Sequence, residues 1–97
     1  MLKQIAPDLA DEVRALVAAH MAPFTFERIE IRVDVDSEGD EALFIDAWYP
    51  LTLQAVEPRK LIDVRSEIRS ALLRRGDVRF PYFAQHFANG QTIAEVA

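Results

Sequence analysis

The chain has 97 residues, 51% of them apolar and 28% charged, with a formal net charge of −5, a pI near 4.9 and no cysteine. That length holds one domain with a modest core, expected over 1–97, and the lack of cysteine excludes disulfides, thiolate metal ligands and cysteine nucleophiles. The acidic balance disfavours wholesale nucleic-acid binding, and without a secretory leader pattern or a run of roughly 20 apolar residues the expectation is a cytoplasmic, non-membrane protein.

Pro7 and Asp8 open a segment in which Leu9, Val13, Leu16, Val17 and His20 share one helical stripe, opposite Asp11, Arg14 and Ala18. Proline suits a first helical turn, and Asp8, Asp11 and Glu12 complement the positive helix end. A helix over about 7–21 is therefore predicted, stopped before Pro23. From Phe26 the period becomes two. Ile29, Ile31, Val33 and Val35 alternate with Arg28, Glu30, Arg32, Asp34 and Asp36, which describes a strand with one buried and one wet face. Asp36-Ser37-Glu38-Gly39-Asp40 makes a polar turn, after which Leu43, Ile45, Ala47, Tyr49 and Leu51 resume the alternation as the second arm of a β-hairpin.

At Glu57-Pro58 the charge changes sign together with the pattern. Residues 1–57 hold 4 Lys/Arg against 12 Asp/Glu, whereas residues 58–97 hold 7 against 4. Pro58 begins a second helical pattern through Leu61, Val64, Ile68, Ala71 and Leu72, closed by Gly76 as a left-handed stop. Val78, Phe80, Tyr82 and Ala84 then alternate with Arg79, Pro81, Phe83 and Gln85. The first set is assigned to the core, and Pro81, lacking an N–H, places this third strand at an edge. Asn89-Gly90 signals a turn, and Gln91 to Val96 reads as a short C-terminal helix or a loose tail. The predicted fold is α+β, a two-layer sandwich of order α-β-β-α-β, with an antiparallel hairpin, an edge strand and both helices on one sheet face.

If Leu43, Ile45 and Ala47 face the core, Phe44 and Trp48 point away from it with Asp46 between them. Exposed aromatics of this kind mark interfaces, unless the chain's own tail covers them. By the same parity Phe83 and Phe87 fall outside the third strand's core face, beside arginines, and join them as candidate anchors, unless this terminal segment packs its aromatics over the open end of the core. Arg65 and Arg69 stand one turn apart between Leu61/Leu72 and Ile62/Leu73. They could clamp an anion, or lay their stems over apolar neighbours and reach a carboxylate. Read as a calcium loop, Asp34, Asp36, Glu38 and Gly39 put Ile45 where a bidentate Glu is needed, so the motif fails. His20 and His86 lack zinc spacing, and no phosphate loop, nucleophile elbow or dinucleotide fingerprint occurs. No catalytic residue, metal or cofactor is assigned.

These features favour a non-enzymatic protein–protein interaction module. It would self-associate as a homodimer or dock on a larger protein as an accessory or inhibitory subunit. The element order resembles type II KH-like nucleic-acid modules in architecture alone, and the GXXG loop those modules use is missing. A third reading is a small enzyme with an anion pocket at Arg65 or Arg69.

Overall fold

A computed structural model describes residues 3–94. Helix α1 is Pro7–Met21, followed by strands β1, Arg28–Val35, and β2, Glu41–Trp48; a single 3-10 turn, Leu53–Ala55, leads to helix α2, Pro58–Arg74, and then strands β3, Phe80–His86, and β4, Thr92–Ala94. The four strands form one mixed sheet in the order β1-β2-β3-β4, so the protein is a small α+β fold. β1 and β2 pair antiparallel, β2 and β3 parallel, and β3 and β4 antiparallel. The parallel step requires a crossover, which α2 supplies.

Both helices start on a proline in the first turn. The buried stripe of α1 is Leu9, Ala10, Val13, Val17 and Met21, whereas Leu16 and His20, expected on it, are only partly buried. α2 buries Leu61, Val64, Ile68, Ala71 and Leu72. Its end is a paired-bond stop, with the Asp77 N–H donating to the Leu72 carbonyl and the Gly76 N–H to Leu73. The helices run antiparallel, because Arg75 at the end of α2 meets Asp8 and Glu12 at the start of α1, while Lys60 Nζ at the start of α2 donates to the Ala22 carbonyl. Their apolar stripes and Ile29, Leu43, Ile45, Ala47 and Phe83 of the sheet make one core. Both helices therefore lie on the same sheet face.

Three expectations change. The third strand is not a sheet edge; β4 lies beyond it and replaces the expected helix or tail over Thr92–Ala94, while residues 95–97 lie outside the described set. The proline rule still holds locally. β4 pairs only with Ala84 to His86, so Pro81 sits where β3 has no neighbour on its β4 side. The third correction is one of phase: Phe83 is 1% exposed and Phe87 5%, both in the core, whereas Phe80 and Tyr82 point outward. Register with β2 dictates this, because Leu43 opposes Pro81, Ile45 opposes Phe83 and Ala47 opposes Gln85, and opposed residues share a face.

One turn geometry closes both hairpins. Asp36 N–H donates to the Asp40 carbonyl and Gly39 N–H to Asp36; Phe87 N–H donates likewise to Gln91 and Gly90 N–H to Phe87. Gly39 and Gly90 both take φ +85°, the bulge position where a side chain would be strained.

Candidate functional site

The sheet face opposite the helices is organised by cross-strand register. Arg32, Phe44 and Tyr82 form one row across β1, β2 and β3, and Arg28, Trp48, His86 and Thr92 form another that reaches β4. Between them runs a row of Glu30, Asp46, Ala84 and Ala94, whose small members on β3 and β4 leave room for the flanking rings.

Each row is a continuous stack. The Arg32 guanidinium lies 4.5 Å from the Phe44 ring centre, and Phe44 stacks on Tyr82 at 5.1 Å and 11°. In the other row Arg28 lies 3.9 Å over Trp48, and Trp48 stacks on His86 at 4.8 Å. Phe80 closes edge-on against Tyr82 at 4.7 Å. Because the rings cover one another, Phe44 and Trp48 are partly buried although both helices lie on the other side of the sheet.

Polar groups fix these rings in place. His86 Nε2 lies 2.8 Å from Asp46 Oδ1, and its Nδ1 lies 3.0 Å from Thr92 Oγ1. Tyr82 donates its hydroxyl to Asp36 Oδ2 at 3.0 Å, and the other oxygen of Asp36 accepts the N–H groups of Glu38 and Asp40. The Asp40 N–H foremost, with the Tyr82 hydroxyl, holds the Asp36 carboxyl below its ordinary value, while partial burial and Asp36 itself raise that of Tyr82. The acidic hairpin tip is thus a turn organiser and an anchor for Tyr82. Among the described residues no group of three or more His, Asp or Glu side chains is gathered to hold a metal ion.

Of the expected anchors, Phe44 and Trp48 are on this face. Phe83 and Phe87 are inside the molecule, and their places outside are taken by Tyr82 and His86, which the sequence reading did not select. Arg65 and Arg69 stay on α2, where with Ile62 and Ser66 they line a shallow open depression that has no carboxylate in its lining. The Arg69 guanidinium reaches 5.2 Å from the Phe80 ring centre. A second open cleft, about 420 Å³, lies where α1 begins and α2 ends. Both of its arginines are engaged: Arg75 with Asp8 at 2.6 Å and with Glu12 at 2.8 Å, and Arg79 with Asp77 at 2.7 Å and with the Lys3 carbonyl.

The chain of Thr92, His86 and Asp46 has the residue types of a hydroxyl-activating triad. Its imidazole, however, lies flat on Trp48 on an open sheet, and neither the cleft nor the α2 depression is lined by any of the three. As built, the network orients a ring. The face carries Glu30, Asp34, Asp36 and Asp46 against Arg28 and Arg32, which opposes a polyanion.

No family model, curated protein or solved structure matches this chain. No helix among the described residues is long and apolar enough to cross a membrane.

Proposed function

We propose that this protein is a non-enzymatic, cytoplasmic protein–protein interaction module that self-associates through its sheet side. One observation supports the reading above others: both helices pack on one face of the sheet, and the opposite face carries two rows of stacked rings and guanidiniums. Aromatic and arginine side chains are the residue types that dominate protein interfaces, and here packing already restricts their rotamers, which lowers the entropy lost on binding. Both signs of charge stand side by side on this face, so a second copy brought in by a twofold axis offers the complementary groups.

Sedimentation of the full chain from micromolar to millimolar concentration tests the reading. A dimer is expected. A sheet-side double substitution, Phe44→Ser/Trp48→Ser, weakens it, while a helix-side control at two exposed apolar residues of α2, Ile62→Ser/Leu73→Ser, leaves it intact. A chain that stays monomeric throughout and captures a larger protein from cell extract belongs instead to the accessory-subunit reading. Recovery of RNA alone would support the nucleic-acid reading.

A further inference from the structure

β1 is the end strand of the sheet, and its backbone directions follow from neighbouring bonds. Asp36 N–H reaches Asp40 across the turn, and Tyr49 N–H reaches His86 on the other side of β2. Antiparallel ladders alternate, so the even residues of β1 spend their N–H and C=O groups on β2, and Ile29, Ile31 and Val33 point theirs at the open edge. The eight residues Arg28–Val35 contain no proline, lysine or inward-pointing charge, the usual devices that blunt an edge.

The side chains of this edge match their own reverse. On the outer face β1 reads Arg28, Glu30, Arg32, Asp34, and on the core-side parity Ile29, Ile31, Val33 and the exposed terminal Val35, so the match spans residues 28–34. We infer that β1 pairs antiparallel with β1 of a second copy about a twofold axis at Ile31, joining two four-stranded sheets into one. This inference rests on the self-association reading above and sets the contact at the β1 edge bordering the ringed face, where Trp48 and Phe44 hold Arg28 and Arg32 in place.

In that register Arg28 faces Asp34 of the second copy and Glu30 faces Arg32, and the twofold repeats both pairs. Ile29 faces Val33, and Ile31 faces itself. Over residues 28–34 every opposed pair on the outer face is then of opposite charge, and every pair on the core face is apolar; Val35, 50% exposed, falls beyond the paired stretch. The backbone agrees. The pairs Ile29/Val33 and Ile31/Ile31 are those whose N–H and C=O groups point outward, so they exchange hydrogen bonds, and the charged pairs occupy the closer non-bonded positions where side chains interact most.

The neighbouring registers fail. A shift of two residues one way sets Arg28 against Arg32 and Glu30 against itself; the other way sets Glu30 against Asp34 and Arg32 against itself. Alternating charge thus selects one alignment, by repulsion as well as attraction. Arg28 and Arg32 now lie over Trp48 and Phe44, and each has a carboxylate on its own strand, Glu30 at 3.8 Å and Asp34 at 3.0 Å. In the dimer the same carboxylates gain a guanidinium across the strand, a charge-assisted contact held between two backbones. Ile31 and Val33, only partly buried in one copy, become interior residues of the joined sheet.

The chain contains no cysteine, so single cysteines report the register directly. Sedimentation of the full chain comes first, followed by thiol cross-linking of three variants with oxidant or a short bis-thiol reagent. Ile31→Cys is expected to give the covalent dimer in highest yield. Glu30→Cys and Arg32→Cys probe the two shifted registers and should trail it. Arg28→Glu/Arg32→Glu should weaken self-association on the order of 100-fold, since all cross-strand pairs become like-charged. Mixing it with Glu30→Arg/Asp34→Arg should restore dimers, a rescue that misfolded variants would not give. A wild-type dimer that ignores these charge changes, or that cross-links best through Glu30→Cys or Arg32→Cys, overturns the edge register and leaves self-association standing. A monomer at all concentrations overturns both.

Discussion

Gln85 is fully buried, with its Oε1 accepting the Tyr49 hydroxyl at 2.7 Å and its Nε2 bonded to nothing among the described residues. Burial pushes the Tyr49 hydroxyl above its ordinary value, so the pair is a neutral hydrogen bond in an apolar setting. Tyr49→Phe leaves both polar ends of Gln85 buried without a partner and should cost about 1–3 kcal/mol in urea unfolding. Tyr49→Phe/Gln85→Met removes the whole polar pair and should recover most of that loss; a double variant no better than the single would refute the account. Alkali bears on the same residue: its folded value is raised, so the contribution is complete below the unfolded value of 10.0 and falls as pH rises beyond it. Asp36 titrates at the other end of the scale. Its folded value lies below 3.8, so its contribution is present above about pH 4 and is lost as pH falls through the folded value. Asp36→Asn should therefore be less stable than wild type at pH 6, with the difference narrowing near pH 2, as read by denaturant midpoints at the two pH values.

The phase of β3 is the element on which sequence and structure part, and it has a direct stability test. Phe83 opposes Ile45 in the core, so Phe83→Ala should cost about 3–5 kcal/mol, whereas Phe80→Ala, from the outer face, should cost well under half of that. Equal losses, or the reverse order, would restore the parity read from the sequence. That parity was illegible for a physical reason: each side of the strand offers two aromatics, Phe80 and Tyr82 or Phe83 and Phe87, and the buried side includes the polar Gln85. Only pairing with β2, whose inward Leu43, Ile45 and Ala47 are unambiguous, breaks the tie. β1, β2 and both helices were legible because a single period runs through each. β4 was not, since the three residues Thr92, Ile93 and Ala94 are too few to show a period, although the turn that delivers them, Asn89-Gly90, was visible. Among site residues, Phe44 and Trp48 followed from alternation alone. Their partners Tyr82, His86, Arg28 and Arg32 depend on cross-strand register, which a single strand's pattern does not contain.

At the scale of the molecule, the reversal of charge at Glu57-Pro58 becomes an account of how the helices and strands meet. The acidic start of α1 lies against Arg74 and Arg75 at the end of α2, which also sets each group beside the helix end it complements. Much of the remaining acidity lies on the sheet: Asp36, Glu38, Asp40 and Glu41 gather at the hairpin tip, while Glu30 and Asp34 on β1 alternate with Arg28 and Arg32. The alternating charges of β1 discriminate alignment at contact, the property required of a self-pairing edge. If native dimers unfold to separate chains, thermal stability must depend on protein concentration. A tenfold rise in concentration stabilises a dimer by about 1.4 kcal/mol, and over two such chains this raises the unfolding midpoint by roughly 3 °C. Scanning calorimetry over two decades of concentration should thus show a rise of roughly 6 °C for the wild-type chain and a clearly smaller one for Arg28→Glu/Arg32→Glu. A midpoint independent of concentration in the wild type, over a range that includes millimolar protein, would place both copies' sheets apart in solution and leave the ringed face to a different protein.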